Sequence, residues 1–136
     1  MQIKIPKVVF LQIKTQQDKL SIIIKTATFH FENKKPLLFI TADEKAEKFV
    51  DELLWKEPKF SFLPHNSSPI DLIVITRQII NTNSAKYIFN LTPEPISDFS
   101  FNIIYELDDF SKKQSIYIAK QKFNFYKSRK CLIEAR

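Results

Sequence analysis

The chain has 136 residues, a formal net charge of +6, 13 phenylalanines, one cysteine and no glycine. Phosphate-binding loops and dinucleotide-binding turns need glycine where the backbone approaches phosphate, so both kinds of site are excluded. The length and the 44% apolar fraction predict one folded domain over residues 1–136.

Features of targeting and redox chemistry predict a cytoplasmic protein with no membrane-spanning segment. The sequence begins without the regions of a secretory signal, and no apolar run approaches the roughly 20 residues that span a bilayer. The single cysteine, Cys131, cannot form an internal disulfide, which is typical of a reducing compartment.

The positive charge is concentrated near the C-terminal end. Residues 112–136 contain eight lysines and arginines and one acidic residue, a net charge of +7. The first 111 residues contain 13 basic and 14 acidic residues, a net charge of −1. This asymmetry predicts an anionic partner for the C-terminal segment, namely nucleic acid, a membrane surface or an acidic peptide.

Apolar runs and helical periodicity predict five strands and three helices. The predicted strands are residues 8–13, 37–41, 72–76, 87–91 and 101–107. Residues 18–35 suit a strand by propensity, but their apolar spacing favours a helix with Asp18 as a cap and Pro36 as a stop. The second helix begins at a capping box over residues 41–44, with Asp43 as an alternative cap, and ends near Trp55. The last helix covers residues 111–130.

Strands that alternate with helices indicate a three-layer α/β/α domain with a largely parallel central sheet. The later strands lack intervening helices long enough for parallel crossovers. We therefore expect part of the sheet to be antiparallel, which would make it mixed.

Trp55 lies on an unusual side of the second helix. The apolar stripe of that helix is complete without it and comprises Ala46, Phe49, Val50, Leu53 and Leu54. At about 100° per residue, Trp55 falls opposite the stripe. It is therefore either covered by the loop that follows or exposed to a partner.

The last helix combines an apolar stripe with lysines at its margin. Ile116, Ala119, Phe123 and Tyr126 fall on one side, and lysines spaced by seven residues follow its edge, namely Lys113, Lys120 and Lys127. The arrangement is either a solvated lysine ridge beside core aromatics or a groove with an apolar floor and a cationic lip. Such a groove suits a peptide that carries both hydrophobic side chains and carboxylates.

The residues of possible catalytic chemistry are few. Asp108 and Asp109 follow the fifth strand, where α/β enzymes often hold a metal, but acidic pairs before a helix more often complement its dipole. His30 and His65 have no nucleophile in a recognised local context. We expect no catalytic site, metal or cofactor.

The run Asp51-Glu-Leu-Leu-Trp55, followed by Phe62-Leu-Pro-His-Asn66, resembles the chi subunit of bacterial DNA polymerase III. The order of strands and helices and the closing basic, aromatic helix also match that family. The resemblance implies an α/β fold and a non-enzymatic adaptor of the clamp-loader assembly.

The resemblance also implies two binding surfaces. One would contact the psi subunit, or a helicase-like partner, through Trp55, Phe62, Pro64 and His65. The other would bind the acidic, apolar C-terminal tail of single-stranded DNA-binding protein, without a need for direct DNA contact. Its expected residues are Lys113, Lys120, Phe123, Tyr126 and Lys127.

The sequence departs from the family at the tail site. A second family lysine aligns with Ile116, and an apolar pocket position falls near Asp108 with a one-residue insertion between. Lys113 is expected to substitute for the missing charge. The alternative function is direct binding of single-stranded nucleic acid by the basic C-terminal helix, since aromatics among lysines stack bases and neutralise phosphates.

Overall fold

The structure is a computed structural model that describes residues 5–56, 72–80 and 84–136. In chain order, the elements in these residues are β1 (Lys7–Ile13), α1 (Gln16–Glu32), β2 (Leu37–Ile40), α2 (Glu44–Lys56), β3 (Ile73–Thr76), β4 (Tyr87–Asn90), β5 (Ile103–Asp109), α3 (Lys113–Ser128) and β6 (Leu132–Ala135). The eight predicted elements are confirmed, including the helix favoured for α1. Strand β6 was not predicted.

The strands form one sheet in the order β3-β2-β4-β5-β1-β6, with helices on both faces. One core cluster joins the sheet to Ile23 of α1 and Leu54 of α2. A second cluster on the other face joins it to Tyr126 of α3 and Phe101 of the segment before β5. The predicted three-layer α/β/α arrangement is therefore confirmed.

The prediction that the sheet is partly antiparallel is wrong for the described strands, since all their pairings are parallel. The reason lies in residues 91–102, which connect β4 to the adjacent β5. Ile96 and Phe101 of this connector are buried in the core on the α3 face. An irregular segment thus takes the place of a crossover helix and returns the chain to the start of β5.

Side chains at the helix starts define where α1 and α2 begin. Thr15 accepts a hydrogen bond from the Asp18 backbone N–H at 3.0 Å, and the Asp18 carboxylate accepts from the Thr15 N–H at 3.2 Å. Asp18 is therefore the second partner of a capping box, not the cap itself. In α2 the alternative cap is confirmed, because Asp43 Oδ1 accepts from the Ala46 N–H at 2.8 Å.

The absence of glycine has a visible consequence at the helix ends. Lys34 and Lys130 follow the C-caps of α1 and α3 with φ angles of 53° and 62°. This left-handed conformation is normally taken by glycine, and a side chain with a Cβ atom adopts it at a cost of about 1–2 kcal/mol. Both helix ends therefore contain local backbone strain.

Candidate protein-interaction surfaces

Helix α3 packs on the sheet through a face that includes a buried lysine. The buried residues of this helix are Ala119, Lys122 and Tyr126. The predicted stripe is therefore wrong in phase, because Ile116 and Phe123 are 42% and 40% exposed. Lys122 lies on the buried side instead, and apolar periodicity does not predict the burial of a lysine.

Lys122 is buried because it pairs with a carboxylate inside the sheet. Its Nζ atom lies 2.8 Å from Glu106 Oε1, and the two side chains are 6% and 0% exposed. The other carboxylate oxygen, Oε2, accepts from Tyr126 at 2.5 Å and from Asn90 Nδ2 at 2.8 Å. Burial raises the pKa of Glu106, and the Lys122 ammonium with these donors opposes that shift.

The same network connects α3 to the segment after β4. Lys122 Nζ donates to the Thr92 carbonyl at 2.6 Å, and the Ile96 N–H donates to the Tyr126 hydroxyl at 2.8 Å. Burial and the nearby Glu106 carboxylate raise the pKa of Tyr126, so its hydroxyl stays protonated. The network therefore fixes the position of α3 on the sheet and the side of the helix that faces it.

Tyr126 was predicted to contact a partner, and its position corrects that prediction. The side chain is 0% exposed and packs against Phe10 with ring centroids 6.2 Å apart. A residue without accessible surface cannot hold a partner's side chain. Its contribution is to position the helix.

The outer edge of α3 carries the other residues predicted for the tail site. We call this surface the α3 edge, formed by Lys113, Ile116, Lys120, Phe123 and Lys127, all of which are exposed. The lysines recur every two turns, about 10 Å apart, so they form one row. The Phe123 ring packs on Phe10 at 6.0 Å between centroids, and Lys127 Nζ lies 6.0 Å from its centre.

The surface predicted for psi is described only in part. Trp55 is placed by its backbone in the last turn of α2, whereas Phe62, Pro64 and His65 lie outside the described residues. Val50 and Leu54 on the predicted stripe of α2 are buried. These two residues therefore mark the core-facing side of α2.

The acidic pair Asp108 and Asp109 forms the end of β5 and has local interactions. Burial and the neighbouring Asp109 carboxylate raise the pKa of Asp108. Burial also raises the pKa of Asp109, but hydrogen bonds from Ser111 and Ser115 outweigh it and hold the pKa below its ordinary value. The Ser111 N–H donates to Asp109 Oδ1 at 2.8 Å, just before α3 begins. No cluster of three or more metal-ligating side chains occurs within residues 5–56, 72–80 and 84–136.

His30 is an internal structural residue. It is 0% exposed, with Nδ1 2.9 Å from the Lys35 carbonyl and Nε2 2.8 Å from the Tyr105 hydroxyl. A carbonyl only accepts, so Nδ1 carries the proton and Nε2 accepts from Tyr105. Burial lowers the pKa of His30 and raises that of Tyr105 to about 12, which keeps both groups neutral.

The family model described as DNA polymerase III chi subunit, HolC, matches residues 5–134. The chain belongs to the DNA polymerase III chi subunit family. Membership of this family supports an accessory role in the replicase. The comparison with curated proteins gives no match.

The chi-family match covers every described element except the last residue of β6. Among the described residues, no helix is both long and apolar enough to cross a bilayer.

Proposed function

We propose that this chi-family chain is a single-domain, non-catalytic adaptor of the bacterial replicase in the cytoplasm. It binds the C-terminal tail of single-stranded DNA-binding protein on the α3 edge and the psi subunit through the surface around Trp55. The observation that carries the first part is the exposed Phe123 ring beside three exposed lysines. This surface has the two properties that an acidic, apolar tail requires.

The mechanism divides the tail's chemistry between the two kinds of residue. Lys113, Lys120 and Lys127 pair with carboxylates of the tail, while Phe123 covers its apolar side chains. Each exposed ion pair contributes about 1 kcal/mol or less and is screened by salt. We therefore expect weak binding that responds strongly to ionic strength and dissociates quickly.

Titration with a labelled tail peptide at two salt concentrations tests this proposal. Lys120→Glu should weaken binding, and most strongly at low salt. Lys25→Glu is the matched control, because Lys25 is an exposed lysine of α1 and the change in net charge is the same. Equal binding by the wild type and Lys120→Glu would mean that the tail does not bind at the α3 edge.

The psi surface is tested by co-purification. Trp55→Ala should lose psi, or a helicase-like partner, while the protein stays folded. Phe49→Ala is the control, since Phe49 is an exposed aromatic residue of the same helix. Loss of the partner in both variants, or in neither, would contradict a specific role for Trp55.

Direct binding of single-stranded nucleic acid is the second candidate. Tyr117 is 63% exposed and lies on α3 with Phe123 and the lysines, so bases have an aromatic surface on which to stack. This function predicts that an oligonucleotide binds the isolated chain. The adaptor function predicts that the tail peptide binds and the oligonucleotide does not.

A further inference from the structure

A groove lies at the carboxyl ends of β2, β3 and β4, at the end of α2 away from Trp55. It consists of two adjoining pockets of about 380 and 570 Å³, which share Ala42 and Arg77. The smaller pocket is lined by apolar side chains that include Ile40, Ile79, Pro93 and Pro95. We call the two pockets together the carboxyl-end groove.

The topology of the sheet makes this a place where ligands bind in other α/β proteins. Strands β2 and β4 are neighbours, but the chain leaves them in opposite directions. After β2 it continues through α2 to β3 at the sheet edge, and after β4 it continues to β5 on the other side. Such a reversal opens a crevice between the two connections.

One wall of the groove is held in place before any partner arrives. Asn90 Nδ2 donates to the Glu94 carbonyl at 2.7 Å, and Asn90 Oδ1 accepts from the Thr92 hydroxyl at 2.7 Å. The rings of Pro93 and Pro95 fix two further backbone angles. This wall is also attached to α3 through Lys122 and is therefore rigid, which lowers the entropy lost on binding.

The opposite wall is also ordered by hydrogen bonds. Thr41 Oγ1 donates to the Thr76 carbonyl at 3.2 Å, and the Gln78 N–H donates to Thr76 Oγ1 at 3.2 Å. Ile79, which follows directly, is 39% exposed at the mouth of the smaller pocket. An apolar side chain of a partner would cover it.

The charge of the groove is opposite to that of the chain. Its lining contains four carboxylates, from Asp43, Glu44, Glu47 and Glu94, and one guanidinium, from Arg77, which gives a net charge of −3. The whole chain carries +6. The absence of glycine also removes the tight turn that cradles phosphate. The groove therefore disfavours nucleotides and favours a cationic partner.

Two of these carboxylates have internal roles, and two face outward. Asp43 caps α2, and Glu47 Oε2 lies 3.4 Å from Arg77 Nε. For Glu44 and Glu94, the described part of the chain supplies no ion-pair partner. They lie at the larger and the smaller pocket respectively.

We propose that the carboxyl-end groove docks a segment of a partner protein in which an apolar side chain is flanked by lysine or arginine. The apolar side chain enters between Ile79 and the two prolines, and the basic residues pair with Glu44 and Glu94. This interaction is independent of the α3 edge, which has the opposite charge and selects acidic peptides.

The test is a titration of the 15N-labelled full chain with a synthetic octapeptide of alternating leucine and lysine. A leucine–glutamate octapeptide serves as the comparison. We expect the basic peptide to shift backbone amide signals of residues 41–47, 77–80 and 92–96, and the acidic peptide to leave them unchanged. Shifts of these signals by both peptides, or by neither, would overturn the proposal.

A pair of variants separates the groove from net charge. Glu94→Lys should weaken the basic peptide about 3- to 10-fold, because one attraction is lost and one repulsion is gained. Glu32→Lys makes the same change in charge at an exposed site on α1 and should leave the affinity unchanged. Equal effects of the two variants would refute a specific site.

Analytical ultracentrifugation of the protein alone tests whether a second copy of the chain occupies the groove. Salt-sensitive self-association that Glu94→Lys abolishes would mean that the basic helix of a second copy fills the groove, and the partner-protein assignment would fall. A monomer at all concentrations leaves the groove free for a partner and supports the proposal. Loss of tail binding on the α3 edge would leave these results unaffected.

Discussion

Lys122 Nζ lies 2.8 Å from Glu106 Oε1, with the two side chains 6% and 0% exposed. This pair joins the only helix on its face of the described structure to a central strand. Burying two charges costs several kcal/mol, which close contact and further hydrogen bonds offset. Here Asn90, Thr92 and Tyr126 supply those hydrogen bonds. The pair therefore determines which side of α3 faces the sheet.

Removal of one partner should destabilise the protein strongly. Lys122→Met leaves the Glu106 carboxylate buried without its counter-ion, and we expect the free energy of unfolding to fall by about 3–5 kcal/mol. Denaturant titration measures the change. Lys120→Met, on the exposed side of the same helix, should stay within about 0.5 kcal/mol of the wild type.

The double variant Lys122→Met with Glu106→Gln completes the comparison. The neutral amide that replaces the Glu106 carboxylate still accepts a hydrogen bond from Tyr126. The loss in the free energy of unfolding should therefore be smaller than the sum of the losses in Lys122→Met and Glu106→Gln by about 1–3 kcal/mol. Additive losses would mean that the two charges do not stabilise each other.

Hydrophobic periodicity predicted the elements well and the rotation of α3 poorly. It treats every lysine as exposed and therefore places the stripe through Ile116 and Phe123. The available signal was Glu106, a charge in the middle of the apolar run of β5, which needs a buried cation nearby. Lys113, Lys120 and Lys127 remained together on the surface, because a change of rotation moves residues spaced by seven as one row.

Two features of the sheet were beyond the sequence pattern for different reasons. Strand β6 is a short edge strand with exposed Leu132 and the charged Glu134, so it looks like a polar end segment. The parallel pairing of β4 and β5 depends on tertiary burial of Ile96 and Phe101 in a segment without regular structure. Neither the edge strand nor the buried connector produces a repeating pattern of apolar residues along the sequence.

Stability should fall in mild acid because of His30. Burial lowers its pKa below the ordinary value of about 6.5, so between these two pKa values the unfolded chain binds more protons than the folded one. The free energy of unfolding therefore decreases as the pH falls below about 6.5, by up to about 1.4 kcal/mol per pH unit, until the folded pKa is reached. Denaturant titration between pH 8 and pH 4 measures this slope.

His30→Gln is the control for that pH dependence. Glutamine can donate to the Lys35 carbonyl but does not titrate, so the free energy of unfolding should change less with pH. The variant should also be less stable at neutral pH, since the buried imidazole and its hydrogen bond with Tyr105 are lost. Other titrating groups contribute equally to both proteins and cancel in the difference. An unchanged slope would assign the pH dependence to other residues.

Lys130→Gly should stabilise the protein. Glycine removes the strain of the left-handed φ angle of 62° but loses more backbone entropy on folding, which leaves a net gain of about 0.5–1 kcal/mol. Thermal or denaturant unfolding measures it. Gln121→Gly, at an exposed position inside α3, should instead lose about 1 kcal/mol. Destabilisation by both variants would mean that Lys130 makes contacts worth more than its strain.

Ile116→Lys should strengthen binding of the tail peptide to the α3 edge. Ile116 is 42% exposed and lies one turn before Lys120, so a lysine there extends the cationic row towards the tail's carboxylates. One additional exposed ion pair predicts a gain of about 2- to 5-fold at low salt, and less at high salt.

Tyr117→Lys is the matched variant for that measurement. It adds the same charge at an exposed position about 100° further round the helix, outside the α3 edge. It should raise affinity less, since position 117 lies beyond the lysine row on the side away from Phe123. Equal gains from the two variants would mean that the tail responds to overall charge. A loss with Ile116→Lys would mean that the isoleucine side chain itself covers an apolar residue of the tail.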